Sequence, residues 1–318
     1  ESNLEYLAEV PYDVRDEAVR DLIKAYRSSV ELYKLKKDKS KPFEMKFKSR
    51  KKGDTIPILH KHINSKSYSF ITSLIPHHLL CKINRDFKLM RTKSNKYYVL
   101  VPVDDEPIHY EYDQPLIAST DPGVRTFQTI YDTHGSIIEI GNGDITKVNE
   151  WKRSAEKLER ESTKDFSKSK KSHLRKAARR LREKIQDRIK DLHHKVSKFL
   201  LSNYETVLLP DFRISQMVNK QNQKISKSTR RDLYGFNHFQ FKQRMLYKKN
   251  RFLNSHLHIT DEKYTTMTCG KCGLLNSVGK EKIYNCSRCN SCFNRDHNGA
   301  RNNLVKFFND KLRPTSSG

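Results

Sequence analysis

The chain has 318 residues, and its 63 Lys and Arg against 37 Asp and Glu give a formal net charge of +26. Only 35% of the residues are hydrophobic, yet the 15 Phe and 15 Tyr exclude a disordered basic tail, because such tails are poor in aromatic residues. No run of 18 apolar residues occurs, which excludes a membrane-spanning helix. The composition predicts a folded, strongly basic protein whose charge favours a polyanion, with nucleic acid ahead of an anionic membrane surface.

The first third of the sequence predicts a helix followed by a β-rich module. Apolar residues recur at helical spacing over 12–35, and a charged break follows at 36–41. From Phe43 to about Asp113, short alternating runs such as Lys96-Tyr-Tyr-Val-Leu-Val-Pro-Val predict strands. Because the sequence begins at Glu1 rather than at a methionine, we expect the N-terminus to be incomplete.

The rest of the chain predicts a mixture of strands and helices. Three consecutive hairpin-linked strands start at Leu116, and a long amphipathic helix over 174–199 forms the second arm of a helical hairpin with its loop near 162–172. The second and third of the hairpin-linked strands are predicted at 124–131 and 136–140. The other predicted elements are strands at 206–210 and 256–260, a loop at 215–227 and a helix at 233–249.

Five of the six cysteines lie close together near the C-terminal end, which favours a metal site in a reducing compartment over a disulfide scaffold. Two C-x2-C pairs, Cys269 with Cys272 and Cys286 with Cys289, can place four thiolates on one tetrahedral ion. Four thiolates leave no open coordination position, so we predict a structural zinc site rather than incidental buried cysteines. Cys292 is a spare thiol that could compete with Cys289.

Two carboxylates lie at predicted element boundaries. Asp121, in Asp121-Pro-Gly-Val-Arg-Thr-Phe, follows a predicted strand, and by itself it is also compatible with an Asx-type turn. Asp296, in Arg295-Asp-His-Asn-Gly-Ala-Arg-Asn, begins a predicted helix, and by itself it is compatible with an N-cap. Each motif alone leaves a structural and a functional interpretation open.

In combination, these segments resemble the transposon-encoded TnpB nucleases and their eukaryotic and viral relatives, the Fanzor proteins. The resemblance rests on the Asp121 and Asp296 segments, on Tyr264-Thr-Thr-Met-Thr-Cys-Gly-Lys-Cys-Gly and on Tyr284-Asn-Cys-Ser-Arg-Cys, with a weaker similarity around Glu9-Val-Pro-Tyr-Asp. It implies an α/β fold in which a RuvC-like (ribonuclease H-like) nuclease domain carries an inserted zinc ribbon and follows a helical segment and a β-rich wedge-type module. The implied modules are a helical recognition-type segment at 1–40, the wedge-type module at 41–114, the nuclease domain at 115–264 and 293–312, and the zinc ribbon at 265–292.

The position of the third catalytic carboxylate differs between the TnpB proteins and the Fanzor proteins. TnpB proteins carry a catalytic Glu at the end of the fourth nuclease strand, where this chain has Pro210. Fanzor proteins lack that Glu and use one on the next strand, and Glu262 matches that position. The resemblance therefore favours Fanzor and implies that Asp121, Glu262 and Asp296 are catalytic Mg2+ ligands, with Asp211 and Asp261 as fallback ligands.

The implied activity is RNA-guided, Mg2+-dependent hydrolysis of DNA, in which a guide RNA pairs with the target double-stranded DNA and the protein reads a short flanking motif. The resemblance also implies a monomeric protein inside a ribonucleoprotein in the nucleus, without a membrane partner. Two alternatives stay open. One is a zinc-ribbon nucleic-acid-binding protein whose nuclease centre has decayed, for which Pro210 argues, and the other is a transposase that joins DNA strands.

Overall fold

A computed structural model describes most of the chain. The described residues are 9–35, 43, 45, 53–63, 66, 69–73, 75–104, 106–112, 114–212, 231–261, 263–277 and 281–312. The predicted loop at 215–227 and Glu262 lie outside the described residues, as does most of the run of alternating residues that starts at Phe43. The chain divides into two compact units, Glu1–Asp105 and Glu106–Gly318. None of the described helices is long and apolar enough to cross a membrane.

The first unit contains a long helix and a small antiparallel sheet. Its elements are α1 (Tyr12–Lys34), β1 (Asp54–Ile58), a 3-10 turn (His60–His62), α2 (Ser69–Thr72), α3 (His77–Leu80), β2 (Phe87–Arg91) and β3 (Tyr97–Leu100). The strand order is β1-β2-β3, and Ile56 pairs with Leu89, which pairs with Val99. Ile58 and Phe87 are fully buried at the centre of a small apolar core. The helix predicted over 12–35 is confirmed.

The second unit holds a larger sheet with helices on both faces. Its elements are β4 (Ile117–Pro122), β5 (Gln128–Asp132), β6 (Ile137–Ile140), α4 (Asp144–Glu161), α5 (Lys168–Asn203), β7 (Thr206–Pro210), α6 (His238–Lys249), β8 (His256–Thr260), β9 (Ile283–Asn285), β10 (Cys292–Asn294) and α7 (Arg295–Leu312).

The five-stranded sheet of this unit has the order β6-β5-β4-β7-β8. The strands β4, β5 and β6 are antiparallel neighbours, whereas β7 is parallel to β4 and β8 is parallel to β7. The carboxyl ends of β4, β7 and β8 therefore meet at one edge of the sheet. The three hairpin-linked strands and the α/β class predicted from the sequence are confirmed.

The main core lies between one face of the sheet and α4, α5 and α6. Alternate residues of the central strands, such as Ala118, Val207 and Leu209, point into this core because successive strand residues face opposite sides. His193 of α5 is buried here, where its Nε2 donates to the carbonyl oxygen of Phe236 at 2.7 Å. Burial lowers the pKa of His193 to about 4, so its ring is neutral at pH 7.

Two helices begin at residues other than those predicted, and each shift has a local cause. The second arm of the helical hairpin starts at Lys168, earlier than predicted, because the Ser167 hydroxyl accepts a hydrogen bond from the backbone N–H of Lys170. α6 starts at His238 rather than near Leu233, because Asn237 adopts a left-handed conformation with φ of 53°. In addition, β5 starts at Gln128 rather than at 124, after an irregular turn that follows Asp121-Pro-Gly.

Candidate active site

The carboxyl edge of the three parallel strands holds the first candidate catalytic residue. Asp121 lies within β4, one residue before its end, and pairs with Thr129 of β5. Because Ser119 pairs with Leu208 in the parallel β7, continuing the register by two residues places Pro210 beside Asp121. Pro210 in turn pairs with Thr260, the last residue of β8. The chain segment that leads to Glu262 thus leaves the sheet at the same edge, although Glu262 itself lies outside the described residues.

Helix α7 packs directly over the Asp121 carboxylate. A Cβ atom built on Gly299 would lie 2.9 Å from Oδ2 and 3.6 Å from Oδ1 of Asp121, so only a glycine allows this close approach. Asp296 lies three residues before Gly299, on the same face of the helix and in its first turn. Asp296 therefore lies about one turn of α7 before the residue that contacts Asp121, in the first turn, where the positive end of the helix dipole stabilises a carboxylate.

The N-cap interpretation of Asp296 is wrong. The helix begins at Arg295, and the side-chain Oδ1 of Asn294 accepts a hydrogen bond from the backbone N–H of Asp296 at 3.0 Å. Asn294 therefore provides the acceptor for a backbone N–H group of the first turn that has no partner within the helix, which is the role of an N-cap residue. The Asp296 carboxylate is mostly buried, with 18% of the side chain exposed, and lies 3.8 Å from Arg295 Nε.

The two fallback carboxylates have other partners. Asp211 forms an ion pair with Lys242 of α6, on the face of the sheet away from α7. Asp261 is exposed, and its backbone carbonyl oxygen accepts a hydrogen bond from Lys306 of α7 at 2.9 Å. Lys306 therefore ties the end of β8 to the helix that carries Asp296.

Further residues of the Asp296 segment hold α7 in position, and this role was not predicted from the sequence. Asn303 donates to the Thr120 carbonyl oxygen at 3.2 Å, next to Asp121. On another side of the helix, His297 is 2.8 Å from Glu139 of β6. Asn, His and Arg repeated at three- and four-residue spacing inside a helix are the signal that could have indicated such contacts.

The same helix also carries the cysteine-rich segment. Asn298 accepts a hydrogen bond from the Gly270 N–H at 2.9 Å and donates to the Thr268 carbonyl oxygen at 2.8 Å. Arg301 donates to the Gly270 carbonyl oxygen at 2.6 Å. The first cysteine pair is therefore clamped to the turns of α7 that carry Asp296 and Gly299.

The structure gathers Cys269, Cys272, Cys286 and Cys289 into one cluster, with all four sulfur atoms within 4.8 Å of one another. The Cys269–Cys289 and Cys272–Cys286 sulfur distances are 3.7 and 3.5 Å. Tetrahedral zinc with Zn–S bonds of about 2.3 Å separates its sulfur ligands by about 3.8 Å, so the cluster fits such an ion.

Local hydrogen bonds favour the thiolate forms of two of the four cysteines, whereas burial and the neighbouring thiols raise the pKa of Cys272 to about 11. The backbone N–H groups of Cys289 and Arg288 lower the pKa of Cys286 to about 6, and the side chain of Ser291 lowers the pKa of Cys289. Cys292 is exposed on β10 and is not one of the four clustered thiols, so Cys289 completes the set. Cys81 belongs to the first unit, near His77.

These features define a class of protein. A five-stranded mixed sheet with an acidic carboxyl edge, a covering C-terminal helix and a four-cysteine ribbon between β8 and that helix is a RuvC-like (ribonuclease H-like) domain with an inserted zinc-ribbon type module. The fold class predicted from the sequence is confirmed.

Comparisons with known proteins agree with this class. Residues 100–221 match the family described as "Probable transposase" of the IS605 OrfB type, and residues 238–303 match the "Cas12f1-like, TNB domain" family. "Putative transposase R186" of Acanthamoeba polyphaga mimivirus is 33% identical over 67% of this chain and 44% of its own length. "TnpB-like protein L79" of the same virus is 26% identical over 71% of this chain and 44% of its own length.

These matches relate the chain to the TnpB/IS605 transposase family and its viral TnpB-like homologues. The chain spans less than half the length of these two mimivirus relatives. A solved structure, "Cryo-EM structure of the Cas12f1-sgRNA-target DNA complex", aligns with a TM-score of 0.45 and 14% identity over 77% of this chain and 50% of the other.

Proposed function

We propose that the chain is an RNA-guided DNA endonuclease of the Fanzor type. The contact between Gly299 and the Asp121 carboxylate carries the proposal, because it joins the two acidic motifs into one candidate centre.

The candidate catalytic residues are Asp121, Asp296 and Glu262. Carboxylate oxygens are the ligands that Mg2+ prefers, and bound Mg2+ would supply an activated water and neutralise charge at the reacting phosphate. Neighbouring residues of the chain determine where the Asp121 and Asp296 carboxylates lie. Gly299 leaves room beside the Asp121 carboxylate, and Asn294 and Asn298 hold the first turns of α7 in place.

The third ligand can be assigned by comparing two variants. Glu262→Gln should lower cleavage by about 100-fold or more, because it removes a charged metal ligand at the strand edge. Asp211→Asn should retain cleavage and lower stability by about 1 kcal/mol, because it weakens the hydrogen-bonded ion pair with Lys242. Cleavage rates and melting temperatures of both variants provide the measurement, and loss of cleavage in Asp211→Asn alone would reverse the assignment.

Zinc is proposed as the ion of the four-cysteine cluster. We expect purified protein to contain one zinc per chain, and Cys286→Ser to lose it together with much of the stability of the ribbon. Cys292→Ser is the matched control, because this exposed thiol is outside the cluster and its zinc content should not change. Elemental analysis with thermal unfolding tests the assignment, and a folded, metal-free wild-type sample would disprove it.

The proposed partners are a guide RNA and the target double-stranded DNA. The net charge of +26 supports them, as do the exposed basic residues along α5, since each phosphate contact adds about one unit to the salt dependence of binding. We also propose that a single copy of the protein forms the ribonucleoprotein and that this complex is located in the nucleus. The division into modules at 1–40, 41–114, 115–264 with 293–312, and 265–292 is part of the same proposal.

A transposase that joins DNA strands is a second candidate, which the names of the matching family and of R186 favour. Both functions require the same acidic centre, so the reaction product must separate them. Hydrolysis leaves only cleaved ends, whereas strand transfer produces joined molecules.

The test is to purify the chain from cells, sequence the RNA that co-purifies and replace its targeting segment. We expect one defined RNA species, and we expect cleavage of DNA that follows the replaced segment in the presence of Mg2+. Joined products would favour the transposase. Defined RNA without any reaction, in protein with intact Asp121 and Asp296, would favour a nucleic-acid-binding protein with a decayed centre.

A further inference from the structure

Glu139 of β6 lies on the same face of the five-stranded sheet as the Asp121 carboxylate. Asp121 pairs with Thr129 of β5, and Thr129 pairs with Glu139, so the three residues form one row across three neighbouring strands. Side chains of directly paired residues point to the same side of a sheet, and on that side the Asp121 carboxylate contacts Gly299 of α7. Neighbouring strands are about 4.8 Å apart, so two spacings place the backbone of Glu139 about 10 Å from that of Asp121.

Three side chains converge on the Glu139 carboxylate. Nε2 of His297 in α7 lies 2.8 Å from Oε1, and Asn142, just after β6, donates to Oε2 at 2.9 Å. Asn294, just before α7, donates from Nδ2 to Oε1 at 3.4 Å. A carboxylate only accepts hydrogen bonds, so Nε2 of His297 carries the proton and donates it to this contact. Both oxygens of Glu139 are therefore occupied by donors, two of which come from the start of α7.

The two donors from α7 flank Asp296 in the sequence. Asn294 uses both ends of its side-chain amide, because Oδ1 accepts from the backbone N–H of Asp296 at 3.0 Å while Nδ2 donates to Glu139. The acceptor and the donor of an amide are different atoms, so Glu139 determines which end of Asn294 meets Asp296. His297 directly follows Asp296 and ties the next residue of the helix to the same carboxylate.

The Glu139 contacts act on the turn of α7 that carries Asp296. Asn303 and Lys306 anchor later turns of the helix, to β4 and to the end of β8. Glu139 anchors the first turn, to β6. The first N–H groups of a helix have no partner within it, so the position of this turn depends on contacts with other segments.

We propose that Glu139 is a positioning residue of the candidate active site. It holds the first turn of α7 against β6, so that Asp296 keeps its place relative to Asp121. Glu139, Asp121 and Asp296 do not have oxygen atoms that all lie within 4.8 Å of one another, so Glu139 acts through Asn294 and the helix rather than as a further metal ligand. This inference rests on the proposed nuclease function and adds to it a residue outside both acidic motifs.

The test compares Glu139→Ala with Glu139→Gln in the whole chain. Glu139→Ala removes both acceptor oxygens and should lower the cleavage rate about 10- to 100-fold, as is typical for residues that orient metal ligands. Glu139→Gln keeps one acceptor oxygen for His297 and Asn294, and the exposed Asn142 amide can turn to accept from the new NH2 group, so most of the rate should return.

Glu159→Ala is the matched control for the loss of a hydrogen-bonded glutamate. Glu159 of α4 accepts two hydrogen bonds from Arg182 of α5, at 2.7 and 2.6 Å, and lies outside the sheet and α7. This variant should cleave DNA at the wild-type rate, because neither of these two residues contacts the start of α7.

Metal binding separates positioning from general damage to α7. Mn2+ binding to purified protein without DNA, followed by electron paramagnetic resonance, should weaken about tenfold in Glu139→Ala and stay near the wild-type value in Glu139→Gln. Zinc content should not change in either variant, because Asn298 and Arg301 still hold the cysteine-rich segment to α7. Loss of zinc together with Mn2+ binding would show that the helix as a whole is displaced, and would overturn the proposal.

Asn294→Ser tests the path from Glu139 to Asp296. Serine is about as good an N-cap as asparagine, but it has no amide group to donate to Glu139 while it caps the helix. Cleavage should slow in Asn294→Ser, and combining it with Glu139→Ala should add little further loss, because both changes release the same turn. Fully additive losses would contradict this path.

Failure of this inference and failure of the proposed function give different results. If Glu139→Ala cuts DNA and binds Mn2+ as wild type does, or if Glu139→Gln is as slow as Glu139→Ala, the positioning role is refuted and the nuclease stands. If wild-type protein does not cut DNA, the proposed function fails, whereas Mn2+ binding by the two Glu139 variants still decides whether Glu139 positions Asp296.

Discussion

Replacing Asp121 by Ala should lower the rate of DNA cleavage by about 10^3-fold, equivalent to about 4 kcal/mol of transition-state stabilisation. Asp121 lies one residue before the end of β4 with its carboxylate against Gly299 of α7, and we propose it as the central metal ligand. Binding of guide RNA should change little, because removing one acidic side chain from a protein of charge +26 does not weaken its attraction to phosphates.

The measurement is single-turnover cleavage of labelled DNA, together with RNA binding at two salt concentrations. Asp165→Ala is the matched control, because this carboxylate is fully exposed in the turn between α4 and α5 and should leave both quantities unchanged. Unchanged cleavage by Asp121→Ala would refute the centre, and loss of RNA binding would indicate a structural rather than a catalytic role.

Much of the fold could be predicted because its signals are local. The apolar spacing of α1 and α5 and the alternation in the strands around Asp121 depend only on neighbours a few residues apart. The cysteine cluster was predictable for the same reason, since each C-x2-C pair forms its own turn and only the meeting of the two pairs is non-local.

The details of the site could not be predicted, because they depend on packing between distant segments. Nothing in the sequence around Gln128 indicates that this polar strand residue is fully buried with no hydrogen-bond partner among the described residues, since that depends on α6, more than 100 residues later. The left-handed conformation of Asn237, which sets the start of α6, could not be predicted either, because asparagine adopts many loop conformations. The contact between Glu139 and His297 joins β6 to α7 across 158 positions.

Gly299 provides the second large expected effect. Gly299→Ala should lower cleavage by about 100-fold, because its Cβ would lie 2.9 Å from Oδ2 and 3.2 Å from Cγ of Asp121 and would force the carboxylate to turn. The fold should tolerate the change, since the atom that must move is the end of a side chain rather than backbone. Alanine is also a better helix former than glycine, so the melting temperature should not fall.

This combination of a stable protein and a slow reaction distinguishes displacement of Asp121 from general damage to α7. Cleavage rate, melting temperature and zinc content of Gly299→Ala should therefore be measured on the same preparation. Gly143→Ala is the control for a glycine substitution as such, because its Cβ would meet nothing within 4 Å, although its φ of +78° adds about 1 kcal/mol of strain. If Gly299→Ala cuts as fast as Gly143→Ala, the carboxylate does not need the position in which α7 holds it, and the assignment of Asp121 and Asp296 to one centre fails.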